Sequence, residues 1–396
     1  MNNIAHCCFW VERSLSSWER FLSENLWDVK AVGKTLVTLL LQKLESQLQV
    51  HGGYLAGLDT LLVAKNGQKM SGVQLWKDHS GNANRGEKLK GHHWGLLGLI
   101  GWEKTSDRYW CWPLKMRLIS GKLNPFQFIV DSEGVARRAN FWDGVIPLVL
   151  DLKQQLGSSL LRVVADAYFC KVPFLAPLVA QGIQVITRMR KDAVAWDERI
   201  ESATPKKTVK MKGEWKLARL LEHFTPQKLS VNIYGKLVQV EAVERFVFIR
   251  GFQPKVKVVV AKGKKEPIIF LSTDLTLTAA QIIEIYGARF SIELAIRDLK
   301  QHFGLADYQC SVGLAIDRFV HLACIAYCLF GLFQRQQLQS DWMPKVSPLH
   351  SELSFSRLRR GLQHFAISRV LFPKSASEAD FPPQSPELER ILRLAA

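Results

Sequence analysis

Tyr286, Arg289, Glu293 and Lys300 follow one another at steps of three, four and seven residues. On an α-helix those steps keep the four side chains within roughly 60° of arc. A phenol, a guanidinium, a carboxylate and an ammonium on one face can grip phosphates and supply oxygen to a hard metal ion. The plain alternative is a solvated flank of i,i+4 ion pairs. Beside this set runs an apolar stripe, Ile285, Ile292, Ile296, Leu299 and Phe303, the mark of a face packed on a core. Two further acids stand in strand-like surroundings. Asp59 is the single acid of the apolar run Tyr54–Val63, and Asp166 ends the apolar run that starts at Leu160. A lone carboxylate in an apolar strand is costly to bury unpaired, so its presence there asks for a role. Three carboxylates from separate elements suit phosphodiester transfer. In that reaction two divalent cations about 4 Å apart activate the nucleophile and hold the leaving oxygen. Asp78, Asp274, Asp298 and Glu284 read instead as caps, ion pairs or solvated charges, and His92, His93 and His79 as core or loop histidines.

The spacing Y-x2-R-x3-E-x6-K, preceded by the strand end Leu271-Ser-Thr-Asp-Leu275, resembles the signature of insertion-sequence DDE transposases of the cut-and-paste group. Leu58-Asp59-Thr60 is similar to that family's first motif, where a second aspartate often stands in place of Leu58. Val164-Ala-Asp166-Ala-Tyr168-Phe169 is similar to the second motif. The resemblance implies an α/β fold: an RNase H-like catalytic core, a mixed sheet flanked by helices, with a mostly β insertion and a short helical N-terminal segment. It implies that Asp59, Asp166 and Glu293 are catalytic and hold two Mg²⁺ (or Mn²⁺) ions, and that Tyr286, Arg289 and Lys300 bind DNA phosphates. The implied substrate is double-stranded DNA, both mobile-element terminal repeats and target, handled by a dimer on DNA. In relatives the insertion supports a flipped base, a part that falls here to Trp196 or Trp215.

The sequence divides accordingly. Residues 1–50 read as a helical N-terminal segment with a DNA-binding role, and 51–190 as the first part of the core. Residues 191–265 read as the β-rich insertion, 266–337 as the second part of the core, and 338–396 as a C-terminal tail with a short basic helix near Arg357–Phe365. Thr278 to Phe303 reads as one helix, opened by the capping box Thr278-Ala-Ala-Gln281 and closed by Gly304. Asn66-Gly67 carries a hairpin signal. The β-α-β pattern around Asp166 puts that residue at a strand's carboxyl end, where sites gather in α/β sheets.

Length and composition set the frame. The 396 residues allow a sizeable core, 47% apolar content is normal for a globular chain, and the net charge of +17 favours a polyanionic partner. Met1–Trp10 lacks the pattern of a signal peptide, and Leu322–Phe333 is too short an apolar window to span a bilayer. Seven scattered cysteines suit a reducing cytoplasm, here that of a bacterial-type protein at the nucleoid. No P-loop, dinucleotide fingerprint or zincin helix is present. His321, Cys324 and Cys328 share a helical face without a fourth ligand at zinc spacing. Two rival readings stay open: a degenerate or domesticated transposase that only binds DNA, and an RNase H-like nuclease without strand transfer.

Overall fold

The computed structural model describes residues 15–77, 88–103, 107–119, 128–130, 136–138, 140–200 and 210–335. The first fourteen residues, Asp78, His79 and the whole 338–396 tail with its expected basic helix lie outside them. The chain forms two compact units, one of Met1–Trp27 with Asp298–Ala396, the other of Asp28–Arg297.

The larger unit is built on one eleven-stranded mixed sheet. Helix α1 (Leu15–Ser23) belongs to the smaller unit, and α2 (Val29–Leu48) opens the larger. Asp28 caps α2 by accepting from the Lys30 N–H, and Leu36, Leu40, Leu44 and Leu48 bury its apolar stripe. The short β1 (Gln49–Val50) then turns into β2 (Gly53–Ala64), followed by β3 (Gln74–Lys77), β4 (Lys88–Glu103) and β5 (Arg108–Leu118). β6 (Phe128–Val130) and β7 (Ala136–Arg138) pair only with each other. Asn140 and Asp143 then form a capping box that starts α3 (Phe141–Leu156). β8 (Leu161–Ala165), α4 (Val172–Ala180) and β9 (Gln184–Arg188) make the expected β-α-β unit. β8 runs parallel to β2, and β9 parallel to β8. With neighbours on both sides, β2 and β8 read as near-continuous apolar runs, as strands buried on both faces do.

Residues 191–265 supply β10 (Val194–Ile200), β11 (Lys210–Lys216), the single-turn α5 (Leu220–His223), β12 (Gln227–Ile233), β13 (Lys236–Val247) and β14 (Val256–Ala261). β10 and β11 form a separate hairpin. The other three strands extend the main sheet through β15 (Ile268–Ser272), giving the order β12-β13-β14-β15-β9-β8-β2-β4-β3, with β1 on β2 and β5 on β4.

Two sequence expectations are corrected. The Asn66-Gly67 signal joins no adjacent strands. β4 is long enough to pair with β2 through Gly91–Ile100 and with β3 through Lys88–Gly91, so β3 lies outside it. The helix expected over Thr278–Phe303 is two helices, α6 (Ala279–Ala288) and α7 (Phe290–His302), separated at Arg289. There the Arg289 N–H bonds to the Tyr286 carbonyl and the Ile292 N–H to the Arg289 carbonyl, both three-residue steps. Gly287 and Ser291 flank the break, a pairing that commonly marks one. Both ends match the sequence reading, with the Thr278–Gln281 box formed and Gly304 at φ +64° as the stop.

In the smaller unit α8 (Gly313–Gln334) runs well beyond the apolar window of the sequence, and by length and composition alone it suffices to cross a membrane. Its buried Arg318 donates to the carbonyls of Leu22, Asn25 and Trp27, and Phe303 packs on Tyr327 and Phe330, contacts of a core helix.

At the start of β8, buried Arg162 donates to Asp274 at 2.7 Å and to the carbonyls of Val50 and His51, tying three segments together. Burial would push Asp274 up, but the hydrogen bonds from Thr276 and Arg162 outweigh it and hold the carboxyl below its ordinary value. A carboxyl depressed in the folded state stabilises it above the unfolded pKa, and that contribution is lost as pH falls through the folded value. Arg162→Ala should therefore lower stability by about 3–5 kcal/mol at neutral pH, because it strands a buried charge. Melting curves should show the deficit shrinking below roughly pH 4 as Asp274 protonates in both states.

Candidate catalytic site

The parallel pairing of β2 with β8 sets Leu58 opposite Ala165, so Asp59 and Asp166 each follow directly after a paired residue. Asp166 leaves the sheet at the end of β8. Its carboxylate accepts from the Tyr168 N–H at 2.9 Å and caps a 3₁₀ turn, Ala167–Phe169, while Thr187 on β9 donates to its carbonyl. Glu293 arrives from α7. Gly57 leaves room for that approach: a Cβ there would touch Ile292 Cβ at 3.4 Å and crowd the end of the Ile100 side chain at 2.9 Å. Gly57 and Asp59 share a face of β2, so the helix that rests on one brings its next residue toward the other.

Arg289 pairs with two of these acids. Its Nη1 lies 3.5 Å from Asp59 Oδ2, and its Nη2 makes a closer ion pair with Glu293 Oε1. Burial pushes Asp59 up to about 6, and the negative charges of Asp166 and Glu293 add to the rise; the Thr60 N–H and Arg289 oppose it. Tyr286 is likewise pushed up, chiefly by burial, with Arg289 and Arg188 opposing. The guanidiniums of Arg188 and Arg289 lie 6.0 and 5.7 Å from its ring centroid.

Five of the six residues singled out in the sequence thus gather in the larger unit: Asp59, Asp166, Tyr286, Arg289 and Glu293. Lys300 is in the last turn of α7, among the residues of the smaller unit. The sequence reading missed Arg188. It ends the strand that runs parallel beside the one ending at Asp166, a position where sites gather, and that placement was its available signal. Arg188 Nε and Arg289 Nε are both buried without a hydrogen-bond acceptor, donors that an incoming anion would satisfy. Trp196 and Trp215 are held within the protein: Trp196 is buried, and Trp215 donates to Asp197 and packs beside Phe224 under Arg245.

Among the described residues no three His, Cys, Asp or Glu side chains stand together at metal-binding spacing. The donor chemistry of Asp59, Asp166 and Glu293 nevertheless fits a hard divalent cation, being all carboxylate oxygen. Their mutual repulsion also marks a place where added positive charge is favoured. His321 bonds to the Asp317 carbonyl instead, and Cys324 is fully buried with its thiol pushed up to about 12, which makes it inert.

A family model described as the transposase DDE domain matches residues 124–329, just over half of the chain. The chain belongs to the transposase DDE domain family. The matched span of this DDE domain holds Asp166, Arg188, Tyr286, Arg289, Glu293 and Lys300, whereas Asp59 precedes it. Among solved structures, the cryo-EM structure of a piggyBac transposase synaptic complex with hairpin DNA is similar at 12% identity and a TM-score of 0.37. The similarity covers 86% of this chain and 56% of that one, so the chain spans little more than half the length of that transposase. Comparison with curated proteins gives no match.

A carboxyl whose folded pKa is raised binds its proton more tightly in the folded state, so the fold loses stability as pH climbs from the unfolded value near 4 through about 6. In metal-free buffer Asp59→Asn should therefore gain roughly 2–3 kcal/mol over the parent above pH 7. Thermal melts across pH 4–8 should show that gain fading as pH falls from about 6 towards 4; a gain that ignores pH would contradict the raised pKa of the buried Asp59 carboxyl.

Proposed function

We propose that this chain is a transposase of the Y-x2-R-x3-E-x6-K, cut-and-paste insertion-sequence group, which cleaves DNA at mobile-element ends and joins them to a target by phosphodiester transesterification. The observation that carries the reading is that Asp59 and Asp166 stand on adjacent parallel strands while Arg289 pairs Asp59 with Glu293 of α7. The segment β5-β4-β2-β8-β9, three antiparallel strands followed by two parallel ones, supports an RNase H-like core. The net charge of +17 suits a DNA partner, and a DNA-bound dimer working at the nucleoid is the form this chemistry implies.

Asp59, Asp166 and Glu293 would hold two Mg²⁺ or Mn²⁺ ions. Such ions, when bound, supply Lewis-acid activation of the attacking hydroxyl and charge neutralisation at the leaving oxygen. The chain's own groups position the substrate. Arg188 and Arg289 each offer an unsatisfied Nε–H to a phosphate oxygen, and Tyr286 stands between them with its hydroxyl kept protonated at neutral pH. A phosphate arriving at Arg289 competes with Asp59 and Glu293 for the guanidinium, so substrate entry loosens the ion pairs that bind the acids to it. Lys300 adds a further cation for the DNA backbone.

The test is strand nicking of a duplex carrying the DNA that flanks the gene, in Mg²⁺ or Mn²⁺ beside EDTA. Glu293→Gln should bind that duplex like the parent while nicking falls by more than about 100-fold, since groups one shell further from a metal already cost 10–100-fold. Retained nicking in Glu293→Gln refutes the assignment. Binding without nicking by the parent moves the reading to a DNA-binding protein, and free ends without joined products move it to a nuclease.

A further inference from the structure

The guanidinium of Arg289 is held in an arrangement that uses only part of its bonding capacity. Its two terminal nitrogens reach across Asp59 and Glu293, while its Nε is buried and has no acceptor. Buried donors are almost always bonded, and an oxyanion is the partner that a guanidinium N–H suits best. Asp166 is engaged differently, its Oδ1 accepting from the Tyr168 N–H. The side chains of Arg289 and Asp59 are 15% and 18% exposed, whereas that of Glu293 is 41% exposed, so the pair opens to solvent on the Glu293 side.

These acids cannot serve two positive partners equally well. A hard divalent cation binds carboxylate oxygen at about 2.0–2.1 Å. On Asp59 or Glu293 it would stand almost in contact with a guanidinium already paired to the same groups. Two positive groups at that range repel, and more strongly where solvent is largely shut out. Cation and guanidinium are therefore alternatives at this place. A phosphate changes the balance, because a released guanidinium can bond two of its oxygens in parallel and so fill the open Nε–H.

We propose that Arg289 is an internal stand-in for the divalent cation, holding Asp59 and Glu293 until a DNA phosphate draws it away. Cation and phosphate then favour one another, because each removes the obstacle that the other meets. This rests on the DNA-processing reading above and adds regulation to its site: the chain loads metal poorly until DNA is present. The linkage is reciprocal, so DNA tightens the cation by the same factor as the cation tightens DNA, roughly 5–150-fold for couplings of this kind. A phosphate that itself touches the ion adds coupling of its own, and the share carried by Arg289 is what its removal abolishes.

The test is Mn²⁺ binding by the full chain without DNA, read from the electron paramagnetic resonance of the free ion. Arg289→Gln should bind Mn²⁺ about tenfold more tightly than wild type. Arg289→Lys keeps the charge but cannot fork across two carboxylates, so it should fall between them, and it carries the comparison if Arg289→Gln does not fold. A labelled duplex from the DNA flanking the gene should bind more tightly in Ca²⁺ than in EDTA at matched ionic strength, by a larger factor in wild type than in Arg289→Gln. Equal or weaker Mn²⁺ binding by Arg289→Gln overturns the proposal. So does an Arg289→Lys chain that matches wild type, which would reduce the effect to charge alone, and so does an equal Ca²⁺ effect on DNA in both chains. If wild type still nicks DNA in Mg²⁺ in any of those cases, the stand-in alone fails. If wild type binds neither Mn²⁺ nor DNA, both readings fail.

Discussion

Burying the Asp59 carboxyl is the constraint on which this part of the larger unit depends, and the charges of Asp166 and Glu293 add to it. An uncompensated buried carboxylate is costly on the scale of a domain's net stability. Two effects reduce it here. The rise of Asp59 to about 6 brings one acid close to accepting a proton in mildly acidic solution. Arg289 also sits among the acids, paired with Asp59 and Glu293 together. The interruption between α6 and α7 falls on that same residue, and there the backbone tightens to three-residue hydrogen bonds. Backbone and charge therefore depend on the same position.

The sheet supplies the accuracy. Parallel pairing is what sets Asp59 and Asp166 at matched heights, and a one-residue slip of β8 would turn its side chains to the opposite faces. The buried Arg162–Asp274 pair, with its bonds to Val50 and His51, grips the beginning of β8 and so opposes such a slip. The acids stand at one end of a strand that is anchored at the other.

Much of this was legible in the sequence, for identifiable reasons. Asp59 was readable because an acid is out of place in an apolar strand. Asp166 was readable because a β-α-β pattern places it, and Glu293 because its neighbours repeat at helical spacing. The capping box at Thr278 and the stop at Gly304 were likewise local and came through unchanged. What stayed hidden depended on tertiary pairing. The break at Arg289 has no proline to announce it, and Gly287 alone is tolerated in many helices. The position of β3 outside β4 reflects the length of β4, which overrides the turn signal at Asn66-Gly67. Arg188 joins the cluster only because β9 lies beside β8.

Gly57 also sets a limit on how this chain can change over generations. A Cβ there would crowd the end of the Ile100 side chain at 2.9 Å and touch Ile292 Cβ at 3.4 Å, so a bulkier side chain would have to displace both and press on the seat of α7. A position that contributes empty space leaves no chemical trace of its own, yet it bears on how closely α7 can approach β2.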